Sequence, residues 1–260
     1  MENLKITLVQ TDLHWENPAE NLKMFDEKIS NIKENTHLIV LPEMFTTGFA
    51  IDRKHIAEEQ GGIGLQWMLK KAKEKNCTIT GSIAVKENKN LFNRLYWVAP
   101  GGTYQTYDKR HLFRMAGENN HFSTGTKKLI CELNGWKICP LICYDLRFPV
   151  WSRNKWDDNY NAEYDVLLYV ANWPKIRNFP WESLLVARAI ENQCYTVGLN
   201  RIGLDGNNIP HCGNSVVLNP RGEQLQKIKE DLEETITVEL DYSYLETFRK
   251  QFPVGLDADK

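Results

Sequence analysis

The chain has 260 residues, of which 42% are hydrophobic and 25% charged, with a formal net charge of -2. This nearly neutral balance argues against nucleic acid as the main partner, because phosphate binding needs a concentrated basic surface. No segment approaches the roughly 18 uninterrupted apolar residues of a membrane span, and the N-terminus lacks a basic stretch followed by an apolar one. We therefore expect no membrane association and a cytoplasmic location.

The first third of the sequence alternates between strand and helix patterns. Asn17 and Pro18 mark a helix start, because Asn is a favoured N-cap and Pro is tolerated in the first turn. Apolar residues then recur at spacings of three and four, which predicts one buried helix face. A later apolar run stops at Pro42. The predicted order is strand, helix, strand, helix, strand, over residues 5–11, 22–32, 37–41, 65–75 and 77–85.

The rest of the sequence predicts hairpins followed by further alternation. Turn residues at 100–102 (PGG) and 134–135 (NG) divide apolar runs, which is typical of hairpins. Residues 165–170 are almost continuously apolar, as expected of a strand covered on both faces. A helix, three strands and a polar, extended tail complete the prediction, with the helix at 182–191 and the strands at 195–199, 215–218 and 235–240. We expect one α/β domain with mixed sheets over residues 1–260.

The six cysteines, at positions 77, 131, 139, 143, 194 and 212, are scattered along the chain. None forms a Cys-x-x-Cys pair, and the histidines do not stand at ligand spacing from them. Neither a disulfide framework nor a zinc site is therefore expected. Most of these cysteines should be small buried hydrophobic residues.

Cys143 has neighbours that suggest a different role. An apolar strand at 138–142 runs directly into it, and the polar residues Tyr144, Asp145 and Arg147 follow at once. A nucleophile needs the end of a rigid strand, where the turning chain exposes the side chain and the next backbone N–H. That N–H can donate to a developing oxyanion. A buried structural cysteine is the alternative interpretation.

A thiol with an ordinary pKa of about 8.5 needs a base or a cation nearby to react at neutral pH. Glu43 follows the apolar run 39–42, so its carboxylate is placed at the rim of a sheet and can accept a proton. Lys109, in 107–113 (YDKRHLF), can bind negative charge on a substrate oxygen. A solvated turn carboxylate and a surface lysine are the alternatives. None of the histidines is singled out by its neighbours: His14, His37, His55, His111, His121 and His211.

Three segments together resemble the nitrilase superfamily of carbon-nitrogen hydrolases. LPEMF at 41–45, YDKRHLF at 107–113 and LICYDLRFP at 141–149 have the order and approximate spacing of its Glu-Lys-Cys triad. The resemblance extends over nearly the whole chain through DVLLYVANWP, RAIENQCY and GNSVVLNPRGE, which begin at positions 165, 188 and 213. FRMAGE and CYDLRFPVWSRN look most like the bacterial omega-amidase branch. Those enzymes hydrolyse the terminal amide of 2-oxo acid amides such as 2-oxoglutaramate.

The resemblance implies a four-layer α-β-β-α sandwich, a homodimer, and no metal or organic cofactor. It implies that Cys143 is the nucleophile, Glu43 the general base and Lys109 the oxyanion ligand. Glu118 is the best match to a second glutamate that orients the site. The backbone N–H of Tyr144 is expected to be the second oxyanion donor.

A small 2-oxo acid amide also needs a cation for its carboxylate. Arg147 and Arg114 are the candidates, because each lies within a few residues of a catalytic motif and a guanidinium group binds a carboxylate with two parallel hydrogen bonds. An ion pair with Asp145 is the alternative role for Arg147. Phe45 and Trp173 are expected to wall the substrate pocket.

Other functions remain open from the sequence alone. Nitrilases and N-carbamoyl amide hydrolases share the triad, so the motifs do not separate them from amidases. A non-catalytic protein of the same fold and a redox sensor using Cys139 and Cys143 are further alternatives. Asn172 and Arg188 are interpreted as structural residues.

Overall fold

The structure is a computed structural model that describes residues 1–51 and 56–258. His55 lies outside the described residues. None of the helices in this part of the chain is long and apolar enough to cross a bilayer. In chain order the elements are β1 (Leu4–Gln10), α1 (Pro18–Ser30), β2 (Leu38–Val40), β3 (Glu58–Glu59), α2 (Ile63–Lys75), β4 (Thr78–Glu87), β5 (Asn90–Val98), β6 (Tyr104–Asp108), β7 (Cys131–Leu133), β8 (Trp136–Ile142), α3 (Pro149–Ser152), β9 (Val166–Ala171), α4 (Asn178–Asn192), β10 (Tyr195–Asn200), β11 (Ile202–Leu204), β12 (Pro210–Cys212), β13 (Val216–Leu218), β14 (Gln224–Lys227), β15 (Glu234–Leu240) and α5 (Tyr242–Gln251).

Two mixed sheets contain most of the strands. The first has the order β15-β1-β2-β4-β5-β6, with β3 beside β4, and the second has the order β14-β13-β10-β9-β8-β7. At the centre of the first sheet β1, β2 and β4 are parallel. At the centre of the second, β8, β9 and β10 are parallel. The carboxyl ends of the parallel strands therefore meet at one edge of each sheet.

Side chains that alternate between the two faces of a strand allow the first sheet to pack against a layer on each side. Leu38 and Val40 of β2 belong to the core that also contains residues of β8, β9 and α4. Ile39 and Leu41 belong to a second core, which joins the other face of the first sheet to α1 and α2. Successive side chains of a strand point to opposite faces, so a single strand serves both cores. The resulting layers are helix, sheet, sheet and helix, and the predicted four-layer sandwich is confirmed.

The predicted extended tail is wrong, because the chain forms α5 after β15. Asp241 caps this helix by accepting a hydrogen bond from the backbone N–H of Tyr244 at 3.1 Å. Leu245 is buried in the core between the sheets, and Arg249 pairs with Asp165 at 2.6 Å. The helix is thus stabilised by contacts with residues distant in sequence, which a local polar pattern does not reveal.

Candidate active site

Four polar side chains lie at the ends of strands from both sheets. Glu43 comes three residues after β2, and Lys109 directly after β6. Cys143 follows β8, and Asn172 follows β9. The carboxyl ends of β2, β8 and β9 meet at one edge of the sandwich. β6 pairs only with β5 among the described strands, and two successive antiparallel pairings make it run in the same direction as β4 and β2. The fold therefore brings together residues that are up to 129 positions apart.

Lys109 is a buried cation between two buried carboxylates. Its Nζ donates to Glu43 Oε1 at 2.8 Å and to Glu118 Oε1 and Oε2 at 3.1 and 3.0 Å. All three side chains are completely buried. Burial alone disfavours the charge of a lysine, but the carboxylates of Glu118 and Glu43 outweigh it and raise the pKa of Lys109. Lys109 is thus a fixed positive charge over the working pH range.

Asn93 is the second donor shared by the two glutamates. Its Nδ2 donates to Glu43 Oε1 at 2.8 Å and to Glu118 Oε1 at 3.2 Å. The backbone N–H of Phe113 also donates to Glu118, at 2.5 Å. Burial raises the pKa of Glu118, and the charge of Lys109 opposes this. Sequence reasoning missed Asn93, which lies inside β5 at a position where no motif marks it.

Cys143 stands in a turn with a left-handed backbone, at φ 44°. Non-glycine residues adopt this conformation rarely, and it costs about 1–3 kcal/mol where it is imposed. The thiol Sγ lies 3.9 Å from the carbonyl oxygen of Asn172. Burial, followed by the negative charge of Glu43, raises the pKa of the Cys143 thiol well above its usual range. The raised pKa favours the neutral thiol, so Cys143 would need a base in order to react as a nucleophile.

The carboxylate of Asp145 stabilises the turn that carries Cys143. Its Oδ2 accepts hydrogen bonds from Tyr107 Oη at 2.7 Å and from the backbone N–H of Ile142 at 3.1 Å. Its Oδ1 accepts from the backbone N–H of His111 at 2.9 Å and lies 2.8 Å from the ring Nδ1. The carboxylate is completely buried. Asp145 thus pairs with His111, and the alternative ion pair with Arg147 is not formed.

Asn172 holds Glu43 through two hydrogen bonds. The backbone N–H of Asn172 donates to Glu43 Oε2 at 2.8 Å, and its side-chain Nδ2 donates to the backbone oxygen of Glu43 at 2.5 Å. Asn172 therefore holds the Glu43 carboxylate in place, a contact that the structural role expected from the sequence did not specify. Arg188 does have a structural role, because its Nη2 donates to the backbone oxygen of Leu146 at 2.7 Å.

A pocket opens above Cys143, with an empty volume of about 320 Å³ that includes the part open to solvent. Among the residues that the structure describes, no group of three or more His, Cys, Asp and Glu side chains is arranged to hold a metal ion. The predicted residues in the lining are Lys109, Cys143, Tyr144, Arg147 and Trp173, and the lining residues not recognised from the sequence as pocket residues are Phe49, Phe113, Asn172, Pro174 and Arg177.

Two residues expected in the pocket lie elsewhere. Phe45 is completely buried in the core under α1 and α2, where its ring lies 5.6 Å from that of Phe25 and 5.8 Å from that of Trp67. Phe45 shares this core with Ile39 and Leu41, whereas Cys143 belongs to the core between the two sheets. Arg114 is exposed in a short 3-10 turn and is not among the lining residues. Both expectations are corrected.

We predict that Phe45→Leu affects stability and leaves substrate binding almost unchanged. The substitution removes ring contacts from a packed core, so the free energy of unfolding should fall by about 1–2 kcal/mol. Urea unfolding and steady-state kinetics measure the two effects. A large rise in KM without a loss of stability would restore Phe45 to the pocket.

We predict that Asn93→Leu lowers kcat about tenfold or more, because hydrogen bonds to charged groups contribute about 1.5–3 kcal/mol. The variant keeps the branched shape of the side chain but removes the N–H groups shared by Glu43 and Glu118. Loss of a donor to its charged form should raise the pKa of Glu118 further. The acid limb of the kcat/KM profile should then move to higher pH. An unchanged pH profile would contradict this role for Asn93.

Comparison with known proteins agrees with this architecture. The carbon-nitrogen hydrolase family matches residues 5–250. The chain is 46% identical to the omega-amidase YafV of Escherichia coli strain K12 over 260 residues, covering 100% of this chain and 98% of that protein. It is 34% identical to the 2-oxoglutaramate amidase of Bacillus subtilis, covering 98% and 97%. A crystal structure from Xanthomonas campestris, of a CN-hydrolase superfamily protein with an arsenic adduct in the active site, superimposes with a TM-score of 0.97 at 38% identity, covering 100% and 98%. The chain therefore belongs to the carbon-nitrogen hydrolase family, within the nitrilase superfamily.

Proposed function

We propose that this hydrolase is an omega-amidase. It releases ammonia from the terminal amide of small 2-oxo acid amides, 2-oxoglutaramate and 2-oxosuccinamate. The observation that carries the proposal is the buried Lys109, held between Glu43 and Glu118 beside the Cys143 thiol. The omega-amidase and 2-oxoglutaramate amidase among the relatives support the substrate class.

In the first half of the proposed reaction, Cys143 Sγ attacks the amide carbonyl and Glu43 takes the thiol proton. Negative charge develops on the carbonyl oxygen, where Lys109 and the backbone N–H of Tyr144 stabilise it. Such preorganised donors act strongly in a buried site because they need no reorganisation during the reaction. The tetrahedral intermediate then collapses. Its C–N bond breaks, ammonia leaves with the proton returned by Glu43, and a thioester remains on Cys143.

The second half is hydrolysis of the thioester. Glu43 takes a proton from water, the resulting hydroxide attacks the acyl carbon, and the same donors stabilise the second oxyanion. The C–S bond breaks, the thiolate recovers its proton from Glu43, and the acid leaves. The elevated pKa of the Cys143 thiol fits this cycle, because the sulfur is reprotonated at the end of each turnover. Glu118 stays beside Lys109 and keeps it in place.

The direct test is ammonia release from 2-oxoglutaramate and 2-oxosuccinamate by the purified protein. We expect turnover of both and little turnover of a nitrile or an N-carbamoyl amine of similar length. Nitrile or carbamoyl hydrolysis without amide hydrolysis would reject the omega-amidase proposal while leaving the triad in place. No hydrolysis of any of these by folded protein would favour a non-catalytic role.

A homodimer and a cytoplasmic location belong to the same proposal. Val150, Phe179 and Ile190 are large apolar side chains on α3 and α4 that remain more than half exposed in one chain, which favours a partner surface. The cysteines in the described residues are free thiols, as is usual in a reducing compartment. Light scattering of the purified protein measures the oligomeric state.

A further inference from the structure

Two arginines stand at the mouth of the pocket. Arg147 ends the 3-10 turn that begins at Cys143. Arg177 ends the 3-10 turn Lys175–Arg177, which follows Trp173 and Pro174. Both arginines line the pocket. Each turn continues from a strand end that carries a site residue, so the backbone of both arginines lies close in sequence to the site.

No carboxylate in the described part of the chain compensates the charge of this pair. The lining contains three cations and no carboxylate, and Lys109 is already neutralised by the glutamates behind it. Within residues 1–51 and 56–258, no carboxylate forms an ion pair with Arg147 or Arg177. Arg177 Nη2 instead lies 2.9 Å from Met115 Sδ, and a thioether is an uncharged, weak acceptor. The pocket mouth is therefore suited to an anion.

Aromatic rings hold the two guanidinium groups. Arg147 Cζ lies 5.2 Å from the ring centroid of Trp173, and Arg177 Cζ lies 5.5 Å from that of Phe113. Trp173 Nε1 also donates to the backbone oxygen of Arg177 at 2.7 Å. The ring that packs against Arg147 is therefore bonded to the backbone of the second arginine. A guanidinium group over a ring keeps its in-plane N–H groups free for a ligand. A planar carboxylate matches that row of donors.

We propose that Arg147 and Arg177 together bind the carboxylate of the substrate, and that Arg177 is a specificity-determining residue for anionic amides. The inference rests on the proposed function, since a 2-oxo acid amide carries its carboxylate at the end opposite the amide. Cys143 and the arginine pair thus recognise the two ends of the molecule. Amides of equal length without a carboxylate lose the second contact and bind weakly.

The test compares 2-oxoglutaramate with pentanamide, an uncharged amide of similar length, in wild type and in Arg177→Met. Methionine keeps an unbranched stem and removes the charge. We expect KM for 2-oxoglutaramate to rise about tenfold to a hundredfold, as for the loss of a hydrogen bond to a charged group. The kcat should change much less, and kcat/KM for pentanamide should stay within about twofold. Arg177→Lys should recover part of the loss, and Arg147→Met should show the same selective defect.

Arg221→Met is the matched control, because Arg221 also lies over an aromatic ring, 5.3 Å from the centroid of Phe248, but outside the pocket lining. It should leave KM for both substrates unchanged. Thermal unfolding of each variant identifies loss of folding, and Arg177→Lys then serves as the gentler substitution. If wild type hydrolyses 2-oxoglutaramate and Arg177→Met has the same KM and the same selectivity, the carboxylate assignment is wrong. If wild type does not hydrolyse it, the proposed function itself fails.

Discussion

Replacement of Lys109 by methionine should lower kcat for amide hydrolysis at least a hundredfold and destabilise the fold. The rate falls because the proposed donor to the oxyanion is lost. Stability falls because Glu43 and Glu118, both completely buried, lose the cation between them. Removal of one partner from a buried ion pair costs about 3–5 kcal/mol. Ammonia release and urea unfolding at pH 7 measure the two effects.

The stability of Lys109→Met should also depend on pH in a defined direction. Burial already raises the pKa of Glu118, and Lys109 opposes that rise. Without the lysine, the pKa of Glu118 rises further in the folded state than in the unfolded state. A carboxyl group of this kind stabilises the fold fully below its unfolded pKa and loses that contribution as pH rises through its folded pKa. The variant should therefore be less destabilised at pH 5 than at pH 7.

Lys71→Met is the matched control for both effects. Lys71 also lies between two carboxylates, 2.7 Å from Asp26 and 2.8 Å from Glu74, but those partners are about half exposed. Its loss should cost about 1 kcal/mol or less and leave kcat unchanged. A Lys109→Met variant with wild-type kcat, or with stability as little affected as that of Lys71→Met, would contradict the charge arrangement described for the site.

Replacement of Cys143 by alanine should lower turnover at least about a thousandfold, because the covalent route through a thioester is removed. The free energy of unfolding should change by about 1 kcal/mol or less, since a small buried side chain becomes slightly smaller. Acid quenching of wild type during turnover should reveal an adduct with the mass of the substrate minus ammonia. The alanine variant should show none.

The Cys139→Ala variant tests whether the loss of turnover is specific to Cys143 or follows the loss of any buried cysteine in this region. Cys139 lies in β8, four positions before Cys143, and is completely buried. Burial raises the pKa of its thiol, and no pocket reaches it among the described cavities. We expect this variant to retain turnover and the acyl adduct. Equal loss of activity in both variants would favour a role that the two cysteines share, such as a redox pair.

The sequence alone determined most local structure in this protein. A short apolar run places β2, and amphipathic patterns place α1 and α2, within a few residues of their observed bounds. A helix that buries one face needs apolar residues at such spacings. The Asn17 cap is also predicted locally, since its side chain accepts from the N–H of Glu20 at 3.3 Å. Glu43 and Cys143 were recognised because each directly follows an apolar run, and Lys109 because it follows a strand-like region. All three also belong to motifs that resemble the family.

Only the tertiary structure decided which side chains share the site. Asn93 and Arg177 carry no motif, and each reaches the site through strand pairing and turns that join residues far apart in sequence. Phe45 was misplaced because its position beside Glu43 in the motif does not reveal which core it enters, and its ring packs with those of α1 and α2. Likewise, α5 forms because Leu245 and Arg249 find partners in the second sheet. The spacing of apolar residues in the sequence indicates which face of a helix or strand is buried. Which residue packs against that face depends on contacts between segments that are distant in sequence.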